Sequence, residues 1–365
     1  MTIGSIINVL ETVAPPSLQE PYDNAGLLIG TAADTCTGVL VTLDVTEAVV
    51  DEAVAKGANL IVAHHPLIFN GLKRISPDNH VGATVIRAIR NGIAVYAIHT
   101  NLDNVLDGVN GMMAEKLGLT KLRVLAPKPG TLRKLYTFVP HAQLDQVREA
   151  IFAAGGGQIG NYQEIGFSVQ GLGFFKAGPG ENPFVGDPGK RHYEEETKLE
   201  VVYPVNLEAV IVAALKAAHP YEEVAYDLVD LRNPGEGIGS GAIGEWELPK
   251  SPEEALNLVK ERFGLKVIRH TPVTRETVQR VALCGGAGSF LISNALRADA
   301  DLYITADVKY HEFFGAEGRM ILADIGHFES EQFTSDLLFD RLREKFPNFA
   351  VLKSMVETNP IKYFI

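Results

Sequence analysis

Leu60-Ile61-Val62-Ala63-His64-His65-Pro66 decides how the rest of this chain is read. A short apolar run bounded by a polar turn predicts a buried strand, and side chains inside a strand alternate between its two faces. Two adjacent histidines can therefore share a site only where the strand ends. Pro66 supplies that end, because the residue before a proline is held extended and proline has no N–H for a further ladder bond. The stretch predicts a strand that hands a pair of imidazoles to its carboxyl edge.

Outward from it, the same rhythm repeats. Ile3, Ile6, Ile7, Leu10 and Val13 recur at helical spacing, so an amphipathic helix opens the sequence and stops at Pro15 and Pro16. Residues 39–43 read as a strand ending at Asp44, 46–56 as a helix with Gly57 just past it, and 93–98 as a strand leading into His99-Thr100-Asn101-Leu102-Asp103-Asn104. Strands separated by helices predict a parallel sheet with right-handed crossovers. The last third returns to that pattern, with a helix over 252–263, a strand at 281–283, a glycine-rich turn at 285–289, and strands at 302–305 and 320–323. Between the thirds, Lys134 to Pro140 is echoed by Lys198 to Pro204, and each copy is followed by a helix ending in paired alanines. A polar loop is expected at 178–196 and a glycine-rich return linker at 235–244. The expected fold class is α/β: two related three-layer α/β lobes, 1–126 and 247–365, with an inserted ferredoxin-like α+β (βαββαβ) domain at 127–246.

Composition narrows the function. At 365 residues, 46% hydrophobic and 21% charged, the chain is of ordinary globular make-up. A net charge of −12 argues against a sequence-independent grip on nucleic-acid phosphates or an anionic membrane. Two distant cysteines, Cys36 and Cys284, match neither a disulfide framework nor a paired-cysteine zinc site. With no membrane span or secretory leader in the pattern, a cytoplasmic protein is expected.

In open parallel sheets, sites form beyond the carboxyl ends of the strands. The candidate ligands fall there repeatedly: His64 and His65, then Asp103, then His327 with Glu331 four residues on. If 328–339 is a helix, His327 and Glu331 share a face one turn apart, although taken alone the pair also reads as a helix N-terminal charge pattern. Three imidazoles and two carboxylates, without thiolate, suit zinc, iron or manganese. Five ligands are too many for one catalytic zinc and fit two divalent ions ~3.5–4 Å apart that share a carboxylate, for which Glu331 is our choice. His99 and His311 are candidates for orienting a ligand or transferring a proton. The turn at 285–289 reads as an anion cradle of backbone N–H groups or as a plain tight turn.

His64-His65-Pro66, His99-Thr100-Asn101-Leu102-Asp103, Asp307-Val308-Lys309-Tyr310-His311-Glu312 and Gly326-His327-Phe328-Glu329-Ser330-Glu331, with Asp23-Asn24-Ala25-Gly26-Leu27 upstream, together resemble the Nif-three-like family of dinuclear-metal-centre proteins. Many of its members are named GTP cyclohydrolase 1 type 2 homologs. The resemblance covers residues 1 to about 126 and 247 to 365; alanine stands at position 25 where many members have valine. The middle portion, with His219-Pro220-Tyr221-Glu222-Glu223, is similar to an inserted domain related to the PII and CutA trimers. The resemblance implies a toroidal homohexamer and carries a metal role to His64, His65, Asp103, His327 and Glu331. On this reading His64 and His327 hold one ion, His65 and Asp103 the other, and Glu331 bridges. The expected function is a dinuclear-metal-dependent hydrolase acting on a nucleotide-like or phosphorylated small molecule. The alternative is a metal-binding, metal-delivery or regulatory protein without turnover, with the inserted domain as sensor or assembly module.

Overall fold

A strand with neighbours on both sides and helices above and below needs apolar side chains on both faces, and Leu60–Ala63 meets that need with four fully buried residues. The computed structural model describes residues 1–364 and divides into two compact units, one of residues 1–126 with 237 onward, the other of residues 127–236. In the first unit, β1 (Gly26–Ile29), β2 (Val39–Thr42), β3 (Leu60–Ala63) and β4 (Ala94–Ala97) form a sheet in the order β1-β4-β3-β2. β2, β3 and β4 run parallel and β1 pairs antiparallel with β4. The helices are α1 (Ile3–Val13), α2 (Glu47–Ala55), α3 (His80–Arg90), α4 (Thr100–Asp103) and α5 (Val109–Lys116). Thr2, Thr46 and Asn79 cap the first three by accepting a backbone N–H three residues on.

After β5 (Thr120–Pro127) the chain enters the second unit: β6 (Leu132–Pro140), α6 (Leu144–Ala153), β7 (Gly166–Lys176), β8 (Arg191–Pro204), α7 (Glu208–Ala218) and β9 (Tyr226–Asp230). Its antiparallel sheet has the order β7-β8-β6-β9. The loop expected at 178–196 is shorter than that, because the β7·β8 ladder runs out to Lys176 and Arg191 and turns polar residues 191–196 into strand. Alternation makes this possible, since a strand with one uncovered face can carry charge at every second position.

Back in the first unit lie β10 (Gly239–Lys250), α8 (Pro252–Arg262), β11 (Arg269–His270), β12 (Val278–Ala287), α9 (Ile292–Arg297), β13 (Leu302–Ala306), β14 (Ile321–Asp324), α10 (His327–Glu331), α11 (Thr334–Lys345) and β15 (Val351–Lys353). A second sheet takes the order β11-β14-β13-β12-β10-β5, and β15 crosses to the first sheet, where it pairs parallel with β2. Each sheet thus holds a strand from the other third of the sequence. β12, β13 and β14 are parallel, like β2, β3 and β4, with an antiparallel strand beyond the third. The expected linker at 235–244 is instead largely β10. Its glycines serve close approach: a Cβ on Gly244 would lie 2.9 Å from Thr120 O, and one on Gly241 2.8 Å from Leu291 Cδ1. The helix expected over 328–339 is broken between Glu331 and Thr334. Among the described residues no helix is long and apolar enough to cross a membrane.

Candidate metal centre

Five of the parallel strands, β2, β3, β4, β13 and β14, release a polar residue where the ladder stops. His64 N–H still bonds Thr42 O at 3.3 Å and His65 N–H bonds Leu43 O at 3.0 Å; then Pro66 ends the pairing. Asp44 follows β2, His99 follows β4, Asp307 follows β13 and His327 follows β14. Asp307 is held at φ 54°, a left-handed conformation uncommon outside glycine, and Gly326 before His327 sits at φ 93°. There is a packing reason for the glycine, since a Cβ on it would lie 2.3 Å from Glu329 Oε2.

Each imidazole is oriented through Nδ1. His64 Nδ1 donates to Ile98 O (2.9 Å), His65 to Asp44 Oδ1 (2.7 Å), His327 to Asp307 Oδ2 (2.7 Å) and His99 to Asp23 Oδ1 (2.7 Å). The acceptors are themselves held: Asp44 Oδ2 accepts the Thr358 hydroxyl at 2.7 Å and Asp23 Oδ2 accepts Thr100 N–H at 3.0 Å. With Nδ1 tied to an oxygen that can only accept, Nε2 is the nitrogen left to bind.

Glu331, 3% exposed, stands among them. Its Oε2 lies 2.9 Å from His65 Nε2 and 3.1 Å from His327 Nε2, and its Oε1 lies 3.8 Å from His64 Nε2. Asp103 Oδ1 is 3.7 Å from His64 Nε2. Two groups of candidate ligands result, His65 with His327 and Glu331, and His64 with Asp103 and Glu331, each with its ligand atoms within 4.8 Å of one another. This corrects the expected partition, which set His64 with His327 and His65 with Asp103. Successive residues at a strand end diverge, so His64 turns inward to the α4 side and His65 outward to α10. All five expected residues are brought together. A ring nitrogen of His99 joins those of His64 and His65 in a third group. His311 joins none of them among the described residues; its exposed ring lies beside Tyr310 and Phe314.

The electrostatics follow from this crowding. Burial disfavours a charged His65, but hydrogen bonds to Asp44 and Glu331 outweigh it and raise its pKa to about 10. His327 is likewise raised to about 9 against burial, by Glu331 and Asp307. Burial and then Glu331 raise Asp103 to about 7. Burial opposes ionisation of Glu331, yet the three histidines around it hold it well below the usual carboxylate range. Cys284 borders the same cavity, where burial, then Asp103 and Glu331, push its thiol pKa up, and it joins none of the candidate ligand groups among the described residues.

Sequence reasoning did not give Asp44, Asp307 and Asp23 their role as orienting carboxylates. The signal for two of them was present: Asp44 and Asp307 follow apolar strands on the same edge as the histidines. Of the two readings of 285–289, anion cradle or tight turn, the structure does not support the cradle. Gly285 and Gly286 continue β12, and the N–H groups of Gly285, Gly286 and Gly288 are already donated to Asn110 Oδ1, Ser330 Oγ and Thr305 Oγ1. Gly286 instead provides clearance, because a Cβ there would lie 2.4 Å from Glu331 Oε1.

Residues 1–360 match the family Duf34/NIF3 (NGG1p interacting factor 3). The chain is 40% identical to a GTP cyclohydrolase 1 type 2 homolog of Halalkalibacterium halodurans, over 98% of each sequence. It is 36% identical to the protein of the same name from Bacillus subtilis, over 98% of this chain and 97% of that one. A crystal structure of a Bacillus cereus protein related to NIF3 is 36% identical and superposes with a TM-score of 0.87, covering 100% of this chain and 99% of the other.

Proposed function

For a chain that belongs to the Duf34/NIF3 family, we propose a metal-dependent hydrolase acting on a nucleotide-like or phosphorylated substrate, as the name of its relatives, GTP cyclohydrolase 1 type 2 homolog, suggests. The observation that carries this reading is a pair of buried atoms, His64 Nε2 and Asp103 Oδ1, that have no hydrogen-bond partner and face each other beside Glu331. Leaving both unmet is costly. Two ligands at ~2.0–2.2 Å from one ion stand about 3–4 Å apart, which matches the separations in both groups. His65, His327 and Glu331 would hold one divalent ion, His64, Asp103 and Glu331 a second, with zinc, iron or manganese suited to such donors. Bound there, a divalent ion supplies Lewis acidity, polarising a substrate oxygen and lowering the pKa of water.

The chain's own residues shape the rest. A cavity of about 520 Å3 opens over the cluster, with Tyr22, Phe69, Phe290 and Phe328 as flat apolar walls and, among the described residues, no lysine or arginine in its lining. Such walls favour a planar heterocycle, and with no lysine or arginine in the lining the charge of a phosphate would be met by the bound ions. His99 is the residue we assign to proton transfer. Its Asp23 partner is pulled down to about 2 by His99 and Thr100 despite burial, so it stays a carboxylate and keeps His99 oriented.

Metal loading should depend on pH with a definite sign. The raised values of His65 and His327 mean that both rings are protonated in metal-free protein at neutral pH. Their contribution to the stability of that form is fully present below about 6.5 and is lost as pH rises through about 9 to 10. Loading must displace these protons, so affinity falls as pH is lowered, and about two protons per chain leave at pH 7.5. Calorimetric titration of stripped protein with zinc, in two buffers of different ionisation enthalpy, reads the number directly; no proton release would refute the charge assignment.

A homohexamer in the cytoplasm, and a ferredoxin-like, PII- and CutA-related second unit, belong to the same proposal; the β7-β8-β6-β9 order with two helices supports the latter. The second reading, a metal-binding or delivery protein with that unit as sensor or assembly module, is favoured by the separate cavity in that unit. Turnover decides between them. Protein loaded with zinc, iron(II) or manganese is expected to hydrolyse at least one member of a panel of nucleotides, free heterocycles and phosphate monoesters, and His64→Ala to lose that activity with its circular dichroism unchanged. Metal uptake without turnover of any member would favour the second reading.

A further inference from the structure

Alternation along β8 sorts its side chains. Leu199, Val201 and Tyr203 join Ile151, Ile211 and Leu215 in the core shared with α6 and α7, so Glu196 and Lys198 turn to the opposite face of the sheet. On that face lies a cavity of about 690 Å3. Glycines in β7 make its floor. Gly171 pairs with Glu196 across the ladder, and a Cβ on Gly171 would meet nothing within 4 Å. A Cβ on Gly173 would lie 2.0 Å from Glu196 Oε2. Bare backbone at these two positions leaves space both for the cavity and for a carboxylate folded over the strand, and Glu196 is only 8% exposed.

The walls are aromatic, from Phe138, Phe175, Phe184 and Tyr221. The Tyr221 ring centre lies 5.8 Å from that of Phe175 and 6.2 Å from that of Phe184. Tyr221 is pinned by the histidine two residues before it: His219 Nε2 donates to Phe138 O (3.0 Å) and its Nδ1 accepts Tyr221 N–H (3.1 Å). Burial lowers the His219 pKa, in keeping with the neutral ring those bonds require. The Tyr221 hydroxyl is buried beside the Glu196 carboxylate, which adds to burial in raising its pKa. Glu196, a carboxylate this buried that makes no ion pair among the described residues, is short of a cationic partner.

Charge indicates which group. Glu181, Glu196, Glu222 and Glu223 line the cavity against Lys176 and Lys198, and Lys198 Nζ is already engaged with Glu200 Oε1 at 2.9 Å. Carboxylates in excess and aromatic faces both favour positive charge and repel a phosphate. We propose that this cavity is a binding site for a small organic cation, a protonated amine on an apolar body, with its N–H groups on Glu196 and its apolar part between the aromatic rings. The site lies wholly within the second unit and does not depend on metal.

Calorimetric titration of the full-length, metal-loaded protein tests this with two probes that share a ring and differ in charge, tryptamine and indole-3-propionate. Saturable binding of tryptamine is expected, at least about tenfold tighter than that of the acid. Glu196→Gln should weaken tryptamine about tenfold, and Gly171→Leu, which fills open space at an ordinary backbone conformation, should abolish it without changing metal content or melting temperature. Equal binding of the two probes, unchanged binding in Gly171→Leu, or no saturable binding of tryptamine at millimolar concentration would overturn the proposal. So would a changed oligomeric state in Gly171→Leu together with no tryptamine binding to the wild type, since the face would then be a joint between copies. If Gly171→Leu fails to fold, Glu196→Gln alone carries the test, and full affinity in it is the refuting result.

Discussion

Glu331→Gln should take bound metal from about two ions per chain to below one, with the fold preserved. Glu331 is the one residue common to the two ligand groups that lie between His327 and Asp103, with Oε2 2.9 Å and 3.1 Å from two imidazoles and Oε1 3.8 Å from a third. Glutamine keeps the shape and one oxygen, but it replaces the second oxygen with an NH2 that donates and cannot ligate. Placed against an imidazole Nε2 it can form a hydrogen bond, so the buried position stays satisfied and the helix start at α10 survives. The negative charge that offsets two cations is lost as well. The expected fall in affinity therefore exceeds the ~10–100-fold that follows loss of an outer-shell partner. Elemental analysis of protein purified without tag or chelator, beside its melting curve, measures both quantities. Unchanged stoichiometry in a folded variant would remove Glu331 from the site and with it the bridged arrangement.

Gly286→Ala should disable the same site without replacing a candidate ligand. Gly286 sits at φ 59°, and a Cβ there would lie 2.4 Å from Glu331 Oε1, 3.2 Å from its Cδ and 3.3 Å from His327 Cε1. The left-handed backbone alone costs a non-glycine residue about 1–2 kcal/mol. The larger consequence is steric: Glu331 is hemmed in by three histidines and can move away only by breaking its contacts with them. Metal content should fall nearly as far as in Glu331→Gln, and the melting temperature should drop. Gly57→Ala is the matched control, with φ 70° and open space around the added Cβ. It should lose a similar backbone term and keep its metal. If Gly286→Ala retains full metal, the crowding at Glu331 is tolerated and the site is looser than its distances imply.

Much of this architecture is legible in the chain itself. Buried parallel strands are continuous apolar runs, so Leu60–Ala63 and its neighbours declare themselves, and the ends of those runs name His64, His65 and His327. Helical spacing does the same for His327 and Glu331, because i and i+4 meet on one face whatever surrounds them. Other features depend on what lies across from a residue, and local pattern carries no such information. The glycines of β10 read as a flexible linker until Thr120 and Leu291 are seen pressed against them. Polar residues 191–196 read as loop until β7 pairs with them. The division of the candidate ligands into His65 with His327 and His64 with Asp103 is likewise tertiary, since it rests on how the two sheets of the first unit turn their carboxyl edges toward one another. So are the orienting roles of Asp44, Asp307 and Asp23, each of which acquires its meaning from an imidazole 20 or more residues away. The residue types and spacings of this chain determine which chemistry is at hand; packing between distant strands decides which atoms share it, because direction in space is set by the neighbour across the sheet and not by the neighbour in sequence.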